Sequence, residues 1–495
     1  MRYSHVYFSR FYEPGARLAF ARPTTPSKPV RPHGTQLSEI SVLHQAYSAA
    51  TRVATAELLV SRTWSPLRRF RAPSRTPSDL AVSPRVDLTS KRSVAVTPAT
   101  YRTLLRVPGF RLLLISSLLT RTASQMWTVG IVLFALQRYQ SPTVAGVSLF
   151  LLIFPGLLLS PIAGALLDRH GRKRLMTLDF GVAATCLTAI VVLAAANRLP
   201  VWMLFALLVG GSITSTLSIA GARSFFPLIV PRDLWDRGNA ADSVCYGVAN
   251  IAGPGLAGAL IAIIGTEAAL AGAAVGYAAG AVVLQRVGEP ARTGDVSGRI
   301  LVEAWRGLCY VVANRTLRWI AISFSTLNVG WGIVVVALPV QVFDLHGNAA
   351  DVGIILALAG AAGVPAALVA GRVRTEGRER ESLSLFGAVM GVSVLALLVP
   401  SLPLIAIGIA IAGGADAASS VSAFSLRQRR TARAWFGRAF AVSMALNFSG
   451  MPIGSALAGP ALGFSTTFAI VFAAALTLGG SALMQLKIPA TASPE

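Results

Sequence analysis

The stretch SPIAGALLDRHGRKRLMTL, residues 160–178, decides how this chain folds: a long apolar run ends in Asp168, Arg169, Arg172, Lys173 and Arg174 and then turns apolar again. A soluble core gives no reason for such alternation. A bilayer does, because a helix crossing its hydrocarbon needs about 20 apolar residues followed by a polar turn. Working outward from this turn, twelve apolar blocks are found, at approximately 110–136, 144–167, 175–196, 200–221, 244–265, 267–285, 318–342, 350–371, 383–400, 402–425, 439–460 and 463–486. Runs such as LFALLVGG and IAIGIAIAGG lack the period-two pattern of a membrane barrel strand, so the expected class is all-α. Composition agrees: 54% of the 495 residues are hydrophobic and 13% charged, with a mean hydropathy of +0.62. An ordinary soluble domain carries roughly a quarter charged residues.

A formal charge of +23 raises nucleic acid as a partner, and the placement of that charge argues against it. If the segment before Phe110 is cytoplasmic, the connections on that side hold Arg169, Arg172, Lys173, Arg174, Arg223, Arg232 and Arg237 in the first part of the chain. They continue with Arg286, Arg292, Arg299, Arg306, Arg315 and Arg318, then Arg372, Arg374, Arg378 and Arg380, and finally Arg427, Arg429, Arg430, Arg433 and Arg438. The opposite side holds Arg138 and Arg198. The positive-inside rule then predicts a multi-pass protein of the cell membrane, in a bacterium the inner membrane, with both termini cytoplasmic and no nucleic-acid partner. The cysteines, Cys186, Cys245 and Cys309, suggest no disulfide framework, and the scattered histidines suggest no metal site. No G-x-x-x-x-G-K-[ST] loop exists for ATP, and no H-E-x-x-H or G-x-S-x-G element for an enzyme, so neither ATP, a cofactor nor catalysis is expected.

Residues 1–106 mix Pro, Ser, Thr and Arg with few acids and no sustained period. That composition reads as a basic, disordered tail lying against anionic lipid headgroups. It lacks the apolar core of a secretory signal. An organelle transit peptide, or a start codon placed too far upstream, are the further readings of it. Two similar halves follow, 107–290 and 318–488, joined by a linker over 291–317 and ending in a short tail, 489–495. In the linker Ile300, Leu301, Ala304, Trp305, Leu308 and Val311 recur at helical spacing, which predicts a helix on the cytoplasmic surface. The fifth span contains NIAGPGLAGAL from Asn250 and the eleventh contains NFSGMPIGSALAG from Asn447. The second span ends in AGALLDRHGRKR and the eighth in VAGRVRTEGRER. Two six-helix bundles related by an axis along the membrane normal are an architecture of transporters that bind substrate between their halves.

In the opening stretch, Gly164, Leu166, Asp168, Arg169, Gly171, Arg172 and Lys173 fit the pattern G-x-L-x-D-R-x-G-R-K. Gly164 lets a neighbouring helix approach, Gly171 permits the tight turn, and the cations hold the loop in the cytoplasm. The pattern closely resembles the loop between the second and third helices of the major facilitator superfamily. That resemblance implies the major facilitator fold and a role for Asp168 as a conformational latch rather than a binding residue, with Arg169, Arg172, Lys173 and Arg223 in the same gating set. The GPGLAG of the fifth span resembles the antiporter motif of drug-proton exporters in that family: Gly253, Pro254 and Gly258 match, while Ala249 and Ala257 replace two glycines. LTRTASQMW, FFPLIVPRDLWDRGNAADS and LRQRRTARAWFGRAFAVSMALNFSGMPIGSALAG look like the branch that contains the enterobactin exporter and macrolide efflux proteins. In the second half Arg374 stands where the first has Asp168, so one strong latch is expected.

Charge buried in a bilayer is costly and marks function, which singles out Arg121 and Asp416, each about ten residues or ~15 Å inside a span. The resemblance implies that spans one, four, seven and ten line a central cavity, and these residues sit on the first and tenth. Asp416 is then a candidate proton-coupling carboxylate, with Arg121 orienting it or meeting an anionic group of the substrate. The competing reading is a polar clamp within each half, using local backbone or amides such as Gln125. Further cavity candidates are Gln125 and Trp127, Asn328 and Trp331, and Ser419 and Ser422. The function expected is secondary active transport: proton-coupled export of amphipathic small molecules, drugs or siderophore-like compounds, by alternating access. An importer or dedicated metabolite carrier on the same fold is the alternative.

Overall fold

The computed structural model describes residues 101–231, 234–289, 300–372, 378–431 and 435–489, all within one compact unit, Ser93–Glu495. The tail, Arg232, Arg292, Arg299, Arg374, Arg433 and the side chains of Gly164, Asp168 and Arg438 lie outside the described residues. The first half is built from α1 (Phe110–Tyr139), α2 (Pro142–His170), α3 (Arg172–Ala195), α4 (Val201–Ile229), α5 (Trp235–Ile263) and α6 (Thr266–Gln285). An amphipathic helix, α7 (Ile300–Ala313), leads to the second half: α8 (Arg315–Asp344), α9 (Ala349–Arg372), α10 (Glu379–Val394), α11 (Leu402–Arg430), α12 (Phe436–Phe448), α13 (Gly450–Phe464) and α14 (Thr466–Lys487).

Ten of these helices are long and apolar enough to cross a membrane. The other two spans are α1, 30 residues long and interrupted by Arg121, and the pair α12–α13, which divides the eleventh span at Ser449. The twelve-span, all-α fold thus stands. Local chemistry sets the ends. Ser141 accepts from the Val144 N–H with Pro142 in the first turn, and Asn314 and Ser465 cap α8 and α14 in the same way. Gly171, at φ 94°, ends α2 and starts α3 in one residue, a backbone that L side chains rarely adopt. In α7 Val311 is buried and Tyr310 stacks on Trp435 with ring centroids 5.0 Å apart, while Trp305, expected on the apolar face, is 66% exposed.

Lipid tails give apolar side chains no reason to leave them, so membrane helices associate through close packing of small residues. Both halves follow this rule with matching geometry. Gly280 of α6 lies on Thr120 and the Ser116 carbonyl of α1, and Gly330 of α8 lies on Thr477 and the Ala473 carbonyl of α14. Between the halves, a Cβ on Gly146 of α2 would stand 2.0 Å from the Ser455 carbonyl oxygen of α13, and one on Gly353 of α9 would stand 2.6 Å from the Pro254 carbonyl oxygen of α5. These backbone contacts lie toward the arginine-poor ends of the helices. Toward the arginine-rich end the fit loosens: a Cβ on Gly247 would be 3.6 Å from Val364, and one on Gly371 would meet nothing within 4 Å. Burial reports the same asymmetry. Val129 to Leu136 of α1 and Gly332 to Pro339 of α8 are buried without interruption for more than two turns, so on every face. In the other half of α1, Leu118, Arg121 and Gln125 remain partly accessible. The molecule is closed at its arginine-poor end and opens toward its arginine-rich end.

Candidate functional site

Two polar layers cross the interior at the level where that opening ends. In the first half Gln125 of α1 donates to Asn250 Oδ1 of α5 at 3.0 Å. In the second half Asn328 of α8 donates to the Asn447 carbonyl of α12 at 3.2 Å and to the Phe324 carbonyl at 2.9 Å. Three residues beyond each asparagine stands a glycine that lets the helices meet. A Cβ on Gly253 would collide with Gln125 and one on Gly450 with the Ser325 carbonyl. The repeated N-x-x-G is therefore a device for crossing two helices closely around one amide. Pro254 and Gly258 belong to the contact with α9 instead, where the Pro254 carbonyl meets Gly353.

Arg121 does not reach toward the second half. Its Nη2 lies 2.9 Å from Asp242 Oδ1, its Nη1 donates to the Asp242 carbonyl at 3.1 Å, and its guanidinium sits 5.8 Å from the centroid of Tyr246. The structure thus places Arg121 in a clamp between α1 and α5, not beside Asp416. Asp242 escaped the sequence reading because the fifth span was expected from residue 244, whereas α5 begins at Trp235. Its first turns are polar since they border the open end. Asp242 is 44% and Arg121 23% exposed, so the pair sits at the edge of the opening.

Asp416 is the middle residue of α11. It shares a face with Ile409, Ala412, Ala423 and Arg427, all buried, while Leu404, Ile407 and Ile411 on the opposite face are exposed. Asp416 itself is exposed, so its accessibility is to a space inside the bundle. No basic side chain among the described residues pairs with it. Ser419 and Ser422, about one and two turns further, are buried. Trp127 is buried against Gly211 and edge-on to Tyr277, a packing residue of the first half rather than a wall of the cavity. Trp331 is partly buried, packed against the large apolar cluster that runs through both halves and against a smaller one within the second half.

The charged turn is tied to its own half. The Arg172 N–H donates to Glu289 at 2.8 Å, its Nε to Ser224 at 3.1 Å, and Lys173 Nζ to the Gln285 carbonyl at 2.5 Å, joining the start of α3 to the ends of α4 and α6. Arg169 and Arg223 are exposed. In the second half Arg429 pairs with the buried Glu379 across the equivalent helices. Arg427, expected as a loop charge, is 1% exposed: it donates to Ser443 and the Met444 sulfur and lies over Phe324, holding α8, α11 and α12 together.

The profile of the Major Facilitator Superfamily matches residues 113–455. The MFS-type transporter y4rN of Sinorhizobium fredii is 35% identical over 407 residues, covering 80% of this chain and 98% of that protein. The multidrug efflux pump Tap of Mycobacterium tuberculosis is 25% identical over 399 residues, covering 78% and 94%. Among solved structures, the nucleoside transporter NupG superposes with a TM-score of 0.61 at 12% identity over 76% of this chain and 99% of that one, which is a likeness of fold. A helical bundle closed at one end, polar at its midplane and matched along most of its length by this family leads to one conclusion: the chain is a membrane transporter of the major facilitator superfamily.

Proposed function

We propose that the chain is a proton-driven exporter of amphipathic small molecules that works by alternating access, with its arginine-rich end and both termini in the cytoplasm. Asp416 carries this reading: an acid at the centre of α11, accessible from inside the bundle and without a basic partner among the described residues. A carboxylate at such a depth costs about 2.5–3.5 kcal/mol on insertion scales, so it is kept where its charge is used. Facing the cytoplasm it exchanges its proton for substrate; facing outward it is reprotonated as substrate leaves. The amides of Gln125, Asn250 and Asn328 and the rings of Tyr246 and Trp331 offer substrate both polar and apolar contacts. The charge asymmetry between the two ends supports the orientation. The likeness to Tap, a multidrug efflux pump, supports export as the direction.

The test is efflux of fluorescent amphipathic compounds from proteoliposomes under an imposed pH gradient. Asp416→Asn is expected to lower gradient-driven efflux at least about tenfold, the loss of one interaction of ~1.4 kcal/mol or more, while the protein remains folded. Undiminished gradient-driven efflux in that variant would refute the coupling role.

A further inference from the structure

An open groove of about 740 Å3 runs along the outer side of α3, from His170 and Arg174 at its mouth to Cys186 at its far end. α3 packs against α2, α4 and α6 of its own half, burying Phe180, Ala183, Leu187 and Ile190. Its opposite face is turned outward, with Arg174, Leu178, Gly181 and Thr185 exposed. The hydroxyls of Thr185 and Thr188 on that side donate back to the Gly181 and Ala184 carbonyls at 2.8 Å, so both are satisfied without water. This is a helix face built to meet lipid.

The chemistry of the groove changes with depth. The span begins at Arg172, so Arg174 stands at headgroup level. At 1.5 Å per residue, Gly181 lies about 10 Å and Cys186 about 18 Å deeper. One leaflet of hydrocarbon is about 15 Å thick, so the groove has the length of one acyl chain. Leu178 and Val182 line it, and Gly181 keeps its middle open: a Cβ there would meet nothing within 4 Å. At the mouth the side chains of Arg172 and Lys173 are engaged by Ser224 and the Gln285 carbonyl. Arg174, by contrast, is exposed and holds no hydrogen bond or ion pair among the described residues. A guanidinium stays charged and presents a fork of N–H donors that fits a phosphate.

A free cation at headgroup level above an apolar trough one leaflet long is complementary to a lipid with a negative headgroup. We propose that this groove holds one anionic phospholipid, its phosphate on Arg174 beside His170 and one acyl chain laid over Gly181. The site shares no residue with the transport path and is independent of the role given to Asp416.

The experiment is native mass spectrometry of the purified full-length protein in detergent, titrated with phosphatidylglycerol or with phosphatidylcholine. One phosphatidylglycerol is expected to bind at concentrations where phosphatidylcholine does not. A basic side chain near an anionic headgroup contributes about fivefold in affinity, so Arg174→Gln is expected to weaken phosphatidylglycerol binding roughly fivefold or more and to leave phosphatidylcholine unchanged. Gly181→Leu fills the groove without meeting a neighbour and is expected to weaken binding at least as much, with the protein still folded. Gly479→Leu, at another glycine with open space around it, is the control and is expected to change nothing. Equal binding of the two lipids, or phosphatidylglycerol binding that neither Arg174→Gln nor Gly181→Leu weakens, overturns the site. A loss in Gly479→Leu equal to that in Gly181→Leu does so too, since it reports general lipid coating. Displacement of phosphatidylglycerol by an equal concentration of inorganic phosphate assigns the mouth to a free anion instead and likewise overturns the lipid site.

Discussion

Gly146→Val is expected to abolish transport and to leave the pathway open at the arginine-poor end. A side chain there meets the carbonyl of Ser455 at 2.0 Å, and backbone has no rotamer with which to give way. Overpacking of this kind costs about 1–3 kcal/mol, and here the cost falls on one conformation alone. A bias of ~1–3 kcal/mol shifts a two-state equilibrium roughly 5- to 150-fold. The check is a cysteine introduced at Val132, which the closed arrangement buries, in a chain whose native Cys186, Cys245 and Cys309 have been replaced. A membrane-impermeant maleimide applied from the arginine-poor side is expected to label it rapidly beside Gly146→Val and slowly without it. Slow labelling in both backgrounds, with transport retained, would show that Gly146 is no part of the seal.

The clamp between Arg121 and Asp242 gives the second large effect. Removing either partner leaves the other charged at a helix contact within the membrane. Arg121→Ala or Asp242→Ala is expected to lower transport strongly and stability by ~1–2 kcal/mol, less than for a fully buried pair because water reaches both groups. The double variant removes both charges, and its stability is expected to return toward that of the parent. Transport is expected to remain low in the double variant if the pair also takes part in the conformational cycle. A double-mutant cycle measured as Tm and as initial efflux rate separates the two contributions. Additive effects of the single changes on Tm would mean that the pair does not interact in the membrane.

Most of the architecture is written in the residue order. The apolar blocks are long, the turns are dense in arginine, and the motif around Gly171 specifies a one-residue junction between two helices. What escaped is of one physical kind. Asp242 lies in a polar helical turn that hydropathy assigns to a loop, because a helix bordering a water-filled opening need not be apolar. Arg427 carries the composition of a loop cation, yet the aromatic face of Phe324 and the Ser443 hydroxyl draw it inside. Each depends on side chains meeting across tens or hundreds of residues, which no local period encodes. The break at Ser449 was equally hidden, since α12 and α13 read as one apolar run.

The closest approaches between the two halves at the arginine-poor end are made by carbonyls, α-carbons and glycines. Such a door has no chemical opinion about cargo. It closes on main-chain shape, and main-chain shape is the same whichever molecule lies below it. Discrimination among cargoes is thereby confined to the chamber and to the charges within it, so the chamber walls can be redrawn by substitution without rebuilding the door.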